Sequence, residues 1–168
     1  MAAKKKKPKK VAPIPKSYRI LTPYLAVRGG VQALDWYKKA FGAKERMRMP
    51  GPDGKIGHAE LQFGDCVLML ADEFPGMNSS PASLNGTTVS LLLYVKDVDA
   101  SFKQAVDAGA TSKAPPENKF YGDRMAVIAD PFGHVWCLST HVEDVSPKEM
   151  AKRAAEMAAK MAEKPPQT

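Results

Sequence analysis

The chain has 168 residues, 44% of them hydrophobic, and a formal charge of +7. That length holds one compact domain, or two small halves sharing a core, and the composition is apolar enough to bury it. No apolar run is long enough to span a membrane and no secretory leader pattern is present, so a soluble cytoplasmic protein is expected.

Residues 1–16 contain seven lysines and no acid, which is the whole of the net charge; the remainder sums to zero. The basicity therefore belongs to a tail, and its repelling charges and few buriable groups predict disorder. Two roles stand open for it. It could seek phosphates of nucleic acid or anionic lipid, or it could be a solubilising leader. No aromatic interleaves the lysines, so stacking on bases is not supported.

A strand is expected over residues 19–27, where β-branched and aromatic residues alternate. Gly29-Gly30 breaks it, as a tight strand-to-helix turn or, less simply, an anion seat. Leu34, Tyr37 and Phe41 then recur at helical spacing, with Gly42 as a stop. Strands follow over 44–49, 56–63 and 66–71, separated by the turns Pro50-Gly51-Pro52-Asp53-Gly54 and Gly64-Asp65. Residues 72–85, with Pro75, Gly76 and Pro81, read as a linker. A second set begins with a strand over 88–95. Asp97 is placed to cap a helix whose buried stripe is Val98, Phe102, Ala105 and Val106. A short strand lies near Thr111. Strands over 124–129 and 134–141 are joined by Asp130-Pro131-Phe132-Gly133. Ser146, Pro147 and Glu149 occupy the N-cap, N1 and N3 positions of a last, amphipathic helix over 144–164. Its Met150, Ala154, Met157 and Met161 share one face. That face could rest on the body or on a sister subunit; a membrane surface is the lesser reading, since no Trp or Phe joins the stripe. Cys66 and Cys137 lack a CxxC spacing and are expected to be reduced, buried thiols.

The two sets are one pattern written twice. Thr22 corresponds to Ser90 and Met69 to Cys137, an offset of 68 (22 to 90, 69 to 137). The fold class is α+β: two tandem β-α-β-β-β modules, over 18–73 and 87–142 within a domain of 17–143, forming a cup-shaped mixed sheet, plus the C-terminal helix. Strand alternation sorts the side chains. Tyr24, Met69, Leu92, Tyr94, Cys137 and His141 face the cup, and so do His58 and Glu60. The His58–Glu60 pair has three readings: metal ligands, an acid–base pair in which the carboxylate orients the imidazole, or a polar pair lining a wet pocket. Arg124 could grip an anion in a bidentate fork, or it could pair with Asp123 to fix a loop.

The doubled unit, Pro23-Tyr24-Leu25-Ala26-Val27, Trp36-Tyr37-Lys38-Lys39-Ala40-Phe41-Gly42-Ala43 and Asp130-Pro131-Phe132-Gly133-His134 together resemble the vicinal oxygen chelate superfamily, the glyoxalase, bleomycin-resistance and extradiol dioxygenase group. Gly57-His58-Ala59-Glu60-Leu61, Gly122-Asp123-Arg124 and the run from His141 to Met150 are similar to its PhnB-like branch. The resemblance covers roughly residues 18–150. It implies a homodimer and a small-molecule ligand. It also implies that the superfamily's divalent-ion ligands, His and Glu, fall here on Thr22, Met69, Ser90 and Cys137. Thr, Met and Ser suit a hard divalent ion poorly, and one Cys cannot close a site. A metal-free binding protein is therefore expected, sequestering a drug or metabolite, with no cofactor. The rival is a lyase, isomerase or dioxygenase of the same superfamily, using a relocated metal or His58 and Glu60 in catalysis. Nucleic acid enters only through the lysine tail.

Overall fold

The computed structural model describes residues 11–162. The first module runs β1 (Tyr24–Val27), α1 (Gly30–Phe41), β2 (Lys44–Pro50), β3 (Ile56–Phe63) and β4 (Cys66–Asp72). After the short helix α2 (Pro81–Leu84), the second runs β5 (Ser90–Tyr94), α3 (Val98–Asp107), β6 (Thr111–Asn118), β7 (Asp123–Ala129) and β8 (Val135–His141). The C-terminal helix is α4 (Pro147–Ala162). The two four-stranded sheets have orders β1-β4-β3-β2 and β5-β8-β7-β6. In each, the first strand pairs in parallel with the last and the other pairings are antiparallel. Even the register repeats: Tyr24 lies opposite Met69, and Leu92 opposite Cys137. The tandem modules expected from the sequence are thus present.

Two strands differ from expectation. The first begins at Tyr24 rather than residue 19. Pro23 has no N–H for a ladder, and the preceding Ile20 and Leu21 are 91% and 85% exposed. Conversely, the strand near Thr111 extends through Pro115 and Pro116 to Asn118. It is the outer strand of its sheet and slips register between Ala114 and Glu117. Only an edge with a bulge tolerates prolines in this way.

The helices are capped by different means. Asp97 accepts from the Ala100 N–H at 3.0 Å, a local N-cap on α3. In α1 the cap comes from across the module. Asp72, at the end of β4, accepts from the Gly29 and Gly30 N–H groups at 2.9 and 2.8 Å and from Ile56 N–H at 2.6 Å. The protein's own carboxylate thus fills the anion seat that the two glycines offer. Gly29 has φ 95°, and a Cβ on Gly30 would come within 2.6 Å of Asp72 Oδ2, so the turn needs both.

One core joins the modules. Trp36 Nε1 donates to the Ala108 carbonyl at 2.9 Å, and Gln104 donates to the Lys39 carbonyl at 2.7 Å, so α1 and α3 meet directly. Tyr37 and Phe41 of α1 pack on Trp136 of β8, with ring centroids 5.5 and 4.8 Å apart. Buried Asp130 accepts from Tyr37 Oη at 2.7 Å and Trp136 Nε1 at 2.9 Å. His134 Nε2 lies 3.0 Å from the Ala26 carbonyl, a structural tie between modules. Each sheet therefore turns its apolar face to the helices and leaves its other face open.

Helix α4 starts as expected. Ser146 Oγ accepts from Glu149 N–H at 3.3 Å, and Arg153 forks onto Glu143 at 2.8 Å through both terminal nitrogens. Met150 and Ala154 are half-buried, whereas Met157 and Met161 are exposed. The methionine face is thus partly covered in its first half and open in its second. Residues 1–10 of the lysine tail and the end of this helix at 163–164 lie outside the described residues. Among the described residues no helix is long and apolar enough to cross a membrane.

Candidate functional site

The open face of the second sheet holds a cavity of about 540 Å³. Leu92, Tyr94, Tyr121, Met125 and Cys137 form its walls, and Asp123, Ser139 and His141 its polar part. Asp123 organises that part. Its Oδ2 accepts from Tyr94 Oη at 2.8 Å and Ser139 Oγ at 3.1 Å, and its Oδ1 meets His141 Nδ1 at 2.8 Å. His141 Nε2 reaches Asp144 at 3.0 Å. With a carboxylate at each ring nitrogen, imidazolium is the form that satisfies both. The bonds to Asp123 and then Asp144 raise the His141 pKa. Burial pushes the Asp123 carboxyl up, but the bonds from His141, Tyr94 and Ser139 outweigh it and hold the group below its ordinary value. Tyr94 is pushed up by the bond it donates to that carboxylate. The polar groups are spent on one another, so what faces the cavity is chiefly apolar.

The open face of the first sheet is polar instead. Tyr24 Oη and His58 Nδ1 are 2.9 Å apart, and His58 Nε2 is 3.5 Å from Glu60 Oε1. Glu60 is only 3% exposed. Arg46 lies 3.3 Å from its Oε2, and Tyr18 Oη donates to its Oε1. A second cavity, of about 510 Å³, opens beside this cluster between Tyr24, Gly57, Ala71, Phe74 and Met77.

The sequence-predicted residues thus divide. Tyr24, His58, Glu60 and half-buried Met69 belong to the first sheet. Leu92, Tyr94, Cys137 and His141 belong to the second. The cysteines are not both buried as expected: Cys66 is exposed at the start of β4, and Cys137 is half-buried. Within one chain the two sets lie at different cavities, because the sheets meet through their apolar faces and their open faces point away from that core. Arg124, expected among the ligand-binding residues, belongs to neither set. Its guanidinium makes two bonds of 2.7 Å to Asp99 and one of 3.1 Å to Asn118. Strand parity explains this: Arg124 shares its face with buried Ala126 and Ile128, while Asp123 shares the open face with Met125. Asp123 is the residue that sequence reasoning left unassigned. The signal for it was its register partner, His141. Arg46 carried no such signal. It sits in a bulge between Glu45, opposite Leu61, and Met47, opposite Glu60, where alternation fails.

A divalent ion finds no fit at the four positions implied by the resemblance. Thr22 turns its hydroxyl to the Arg19 carbonyl at 3.4 Å, and Met69, Ser90 and Cys137 add no carboxylate or imidazole. Among the described residues no three His, Cys, Asp or Glu side chains converge as metal ligands.

Comparison with known proteins agrees with this architecture. An uncharacterized protein of Mycobacterium tuberculosis strain H37Rv is 46% identical over 134 residues, spanning 77% of this chain and 79% of the relative. TioX from Micromonospora sp. ML1 superposes with a TM-score of 0.59 at 27% identity, covering 73% of this chain and 98% of TioX. A bleomycin resistance determinant encoded on the transposon Tn5 shares the fold, with a TM-score of 0.55 at 23% identity over 73% of this chain and 98% of its own. The profile of the Glyoxalase/Bleomycin resistance protein/Dioxygenase superfamily matches residues 20–138. With its repeated modules, shared register and matched profile, the chain belongs to that superfamily.

Proposed function

We propose that this chain is a metal-free, PhnB-like small-molecule-binding protein that sequesters an apolar, aromatic-rich drug or metabolite in the cytoplasm. The observation that carries this reading is the second-sheet cavity. Its walls are Leu92, Tyr94, Tyr121 and Met125, and its polar groups are already paired through Asp123. Such a site has shape and apolar surface with few orienting groups, which suits binding without chemistry. The poor donor set at positions 22, 69, 90 and 137 supports the metal-free part. A second copy of the chain would cover the open faces, where Tyr94 is 60%, Leu92 56% and Tyr24 52% exposed. Apolar surface of this kind calls for a cover. Equilibrium dialysis with metal-free bleomycin and with a naphthalene sulfonate dye tests the reading. Binding should weaken at least roughly tenfold in Leu92→Asp, as expected when a charge enters an apolar wall. Unchanged binding of both probes would sink it. Elemental analysis of tag-free protein should find no stoichiometric transition metal, and sedimentation should give twice the 18.3 kDa chain mass.

A second reading rests on the 2.9 Å contact of Tyr24 with His58, which Glu60 backs at 3.5 Å. That row could move a proton between a ligand and the imidazole. Turnover that His58→Gln abolishes and Leu92→Asp spares would favour it.

A further inference from the structure

We propose that the first sheet carries a subsite for a neutral hydroxyaryl group, and that the chain's own Tyr18 occupies it at rest. From residue 11 to residue 21 every side chain is exposed except Tyr18, which is half-buried. The Arg46 guanidinium lies over its ring, 5.2 Å from the centroid. Its hydroxyl donates to Glu60 Oε1, and that bond is the leading cause that raises the Tyr18 pKa. Arg46 also reaches the Ser17 carbonyl at 3.4 Å and Glu60 Oε2 at 3.3 Å.

The chemistry of the seat defines its occupant. Glu60 is a buried carboxylate whose Oε2 is met by Arg46. Among the described residues its Oε1 has, apart from Tyr18, only His58 at 3.5 Å. A buried carboxylate oxygen calls for a donor, and an O–H serves it well. The guanidinium above selects a flat π-face. A phenol or hydroxylated heteroaromatic meets both demands, while a carboxylate or a bare carbonyl would meet Glu60 acceptor to acceptor.

The occupant is also easy to displace. Ile20 and Leu21 bury almost nothing, and the pair of Arg19 with Asp65 has side chains 57% and 73% exposed. An exposed pair of this kind adds little. A ligand therefore competes with a single tyrosine, and its apparent affinity is reduced by the fraction of molecules in which Tyr18 is seated. This subsite is separate from the second-sheet cavity and does not depend on it.

The test titrates p-cresol, the tyrosine side chain without its backbone, into ¹⁵N-labelled full chain. The proteins are the unaltered one, Tyr18→Phe and Tyr18→Ala, and 4-methylanisole, which lacks the donor, is the control. The expected result is p-cresol binding roughly tenfold tighter to Tyr18→Ala than to the unaltered chain, with Tyr18→Phe between them. Amide shifts should centre on Arg46, His58 and Glu60, and 4-methylanisole should bind at least roughly tenfold more weakly than p-cresol, a factor of about one charge-assisted hydrogen bond. If Tyr18→Ala fails to fold, the comparison of Tyr18→Phe with the unaltered chain decides. Equal affinity in all three proteins, undetectable binding included, overturns the proposal. Shifts confined to Leu92, Tyr94 and Cys137 also overturn it, while leaving the second-sheet cavity standing as a binding site.

Discussion

The two open sheet faces are built on one backbone pattern and have opposite chemistry. Their strands keep the same register, so positions can be matched one to one. Glu60, which lies opposite Met69, is matched by Val127, opposite Cys137. The first face surrounds a buried carboxylate with donors from Tyr18, Arg46 and His58. The second locks its carboxylate at the sheet's end, on Asp123, and leaves an apolar wall. A repeated fold fixes where side chains can stand, and the residue at each place decides what the surface can recognise.

That comparison can be broken first at the joint between the modules. Asp130 accepts four bonds, from Tyr37, Trp136, Phe132 N–H and His134 N–H. Asp130→Ala strands buried donors from both modules and should cost about 3–5 kcal/mol. Urea unfolding followed by circular dichroism measures it, and a loss under about 1 kcal/mol would mean the joint does not depend on this residue. The helix caps give the next largest difference. Asp72→Ala removes an acceptor from three backbone N–H groups and should cost about 2–3 kcal/mol. Asp97→Ala removes a local cap worth about 1 kcal/mol. Equal losses would show that the two modules are capped with equal strength after all.

The smallest effect is on pH dependence at the second face. The folded His141 pKa is raised, so its contribution is full below the ordinary value of 6.5 and is lost as pH rises through the folded value. The folded Asp123 pKa is lowered, so its contribution is full above the ordinary value of 3.8 and is lost as pH falls through the folded value. The pair should therefore support the fold most between those two values. His141→Gln should flatten that part of the stability-versus-pH curve, and Glu60→Gln should leave it in place. An unaltered curve for His141→Gln would remove His141 from the account.

Much of the fold was legible in the chain because it rests on local chemistry. Period-2 and period-3.6 patterns, Gly42 as a stop, Asp97 as a cap and Ser146-Pro147 as a helix start each act within a few residues. His58 and Glu60 were placed on the open face for the same reason, since the alternation of β3 is unbroken. What lay beyond the sequence depended on contacts made at long range. Asp72 caps a helix more than forty residues away, and Tyr18 reaches Glu60 over a similar separation. The bulge at Arg46 and the parity of Arg124 hang on strand pairing that no short window contains. The division of the candidate residues between two faces was decided by the joint between the modules, where α1 meets α3 and lays Tyr37 and Phe41 on Trp136 of β8, so both sheets turn their apolar faces into one core and their other faces outward.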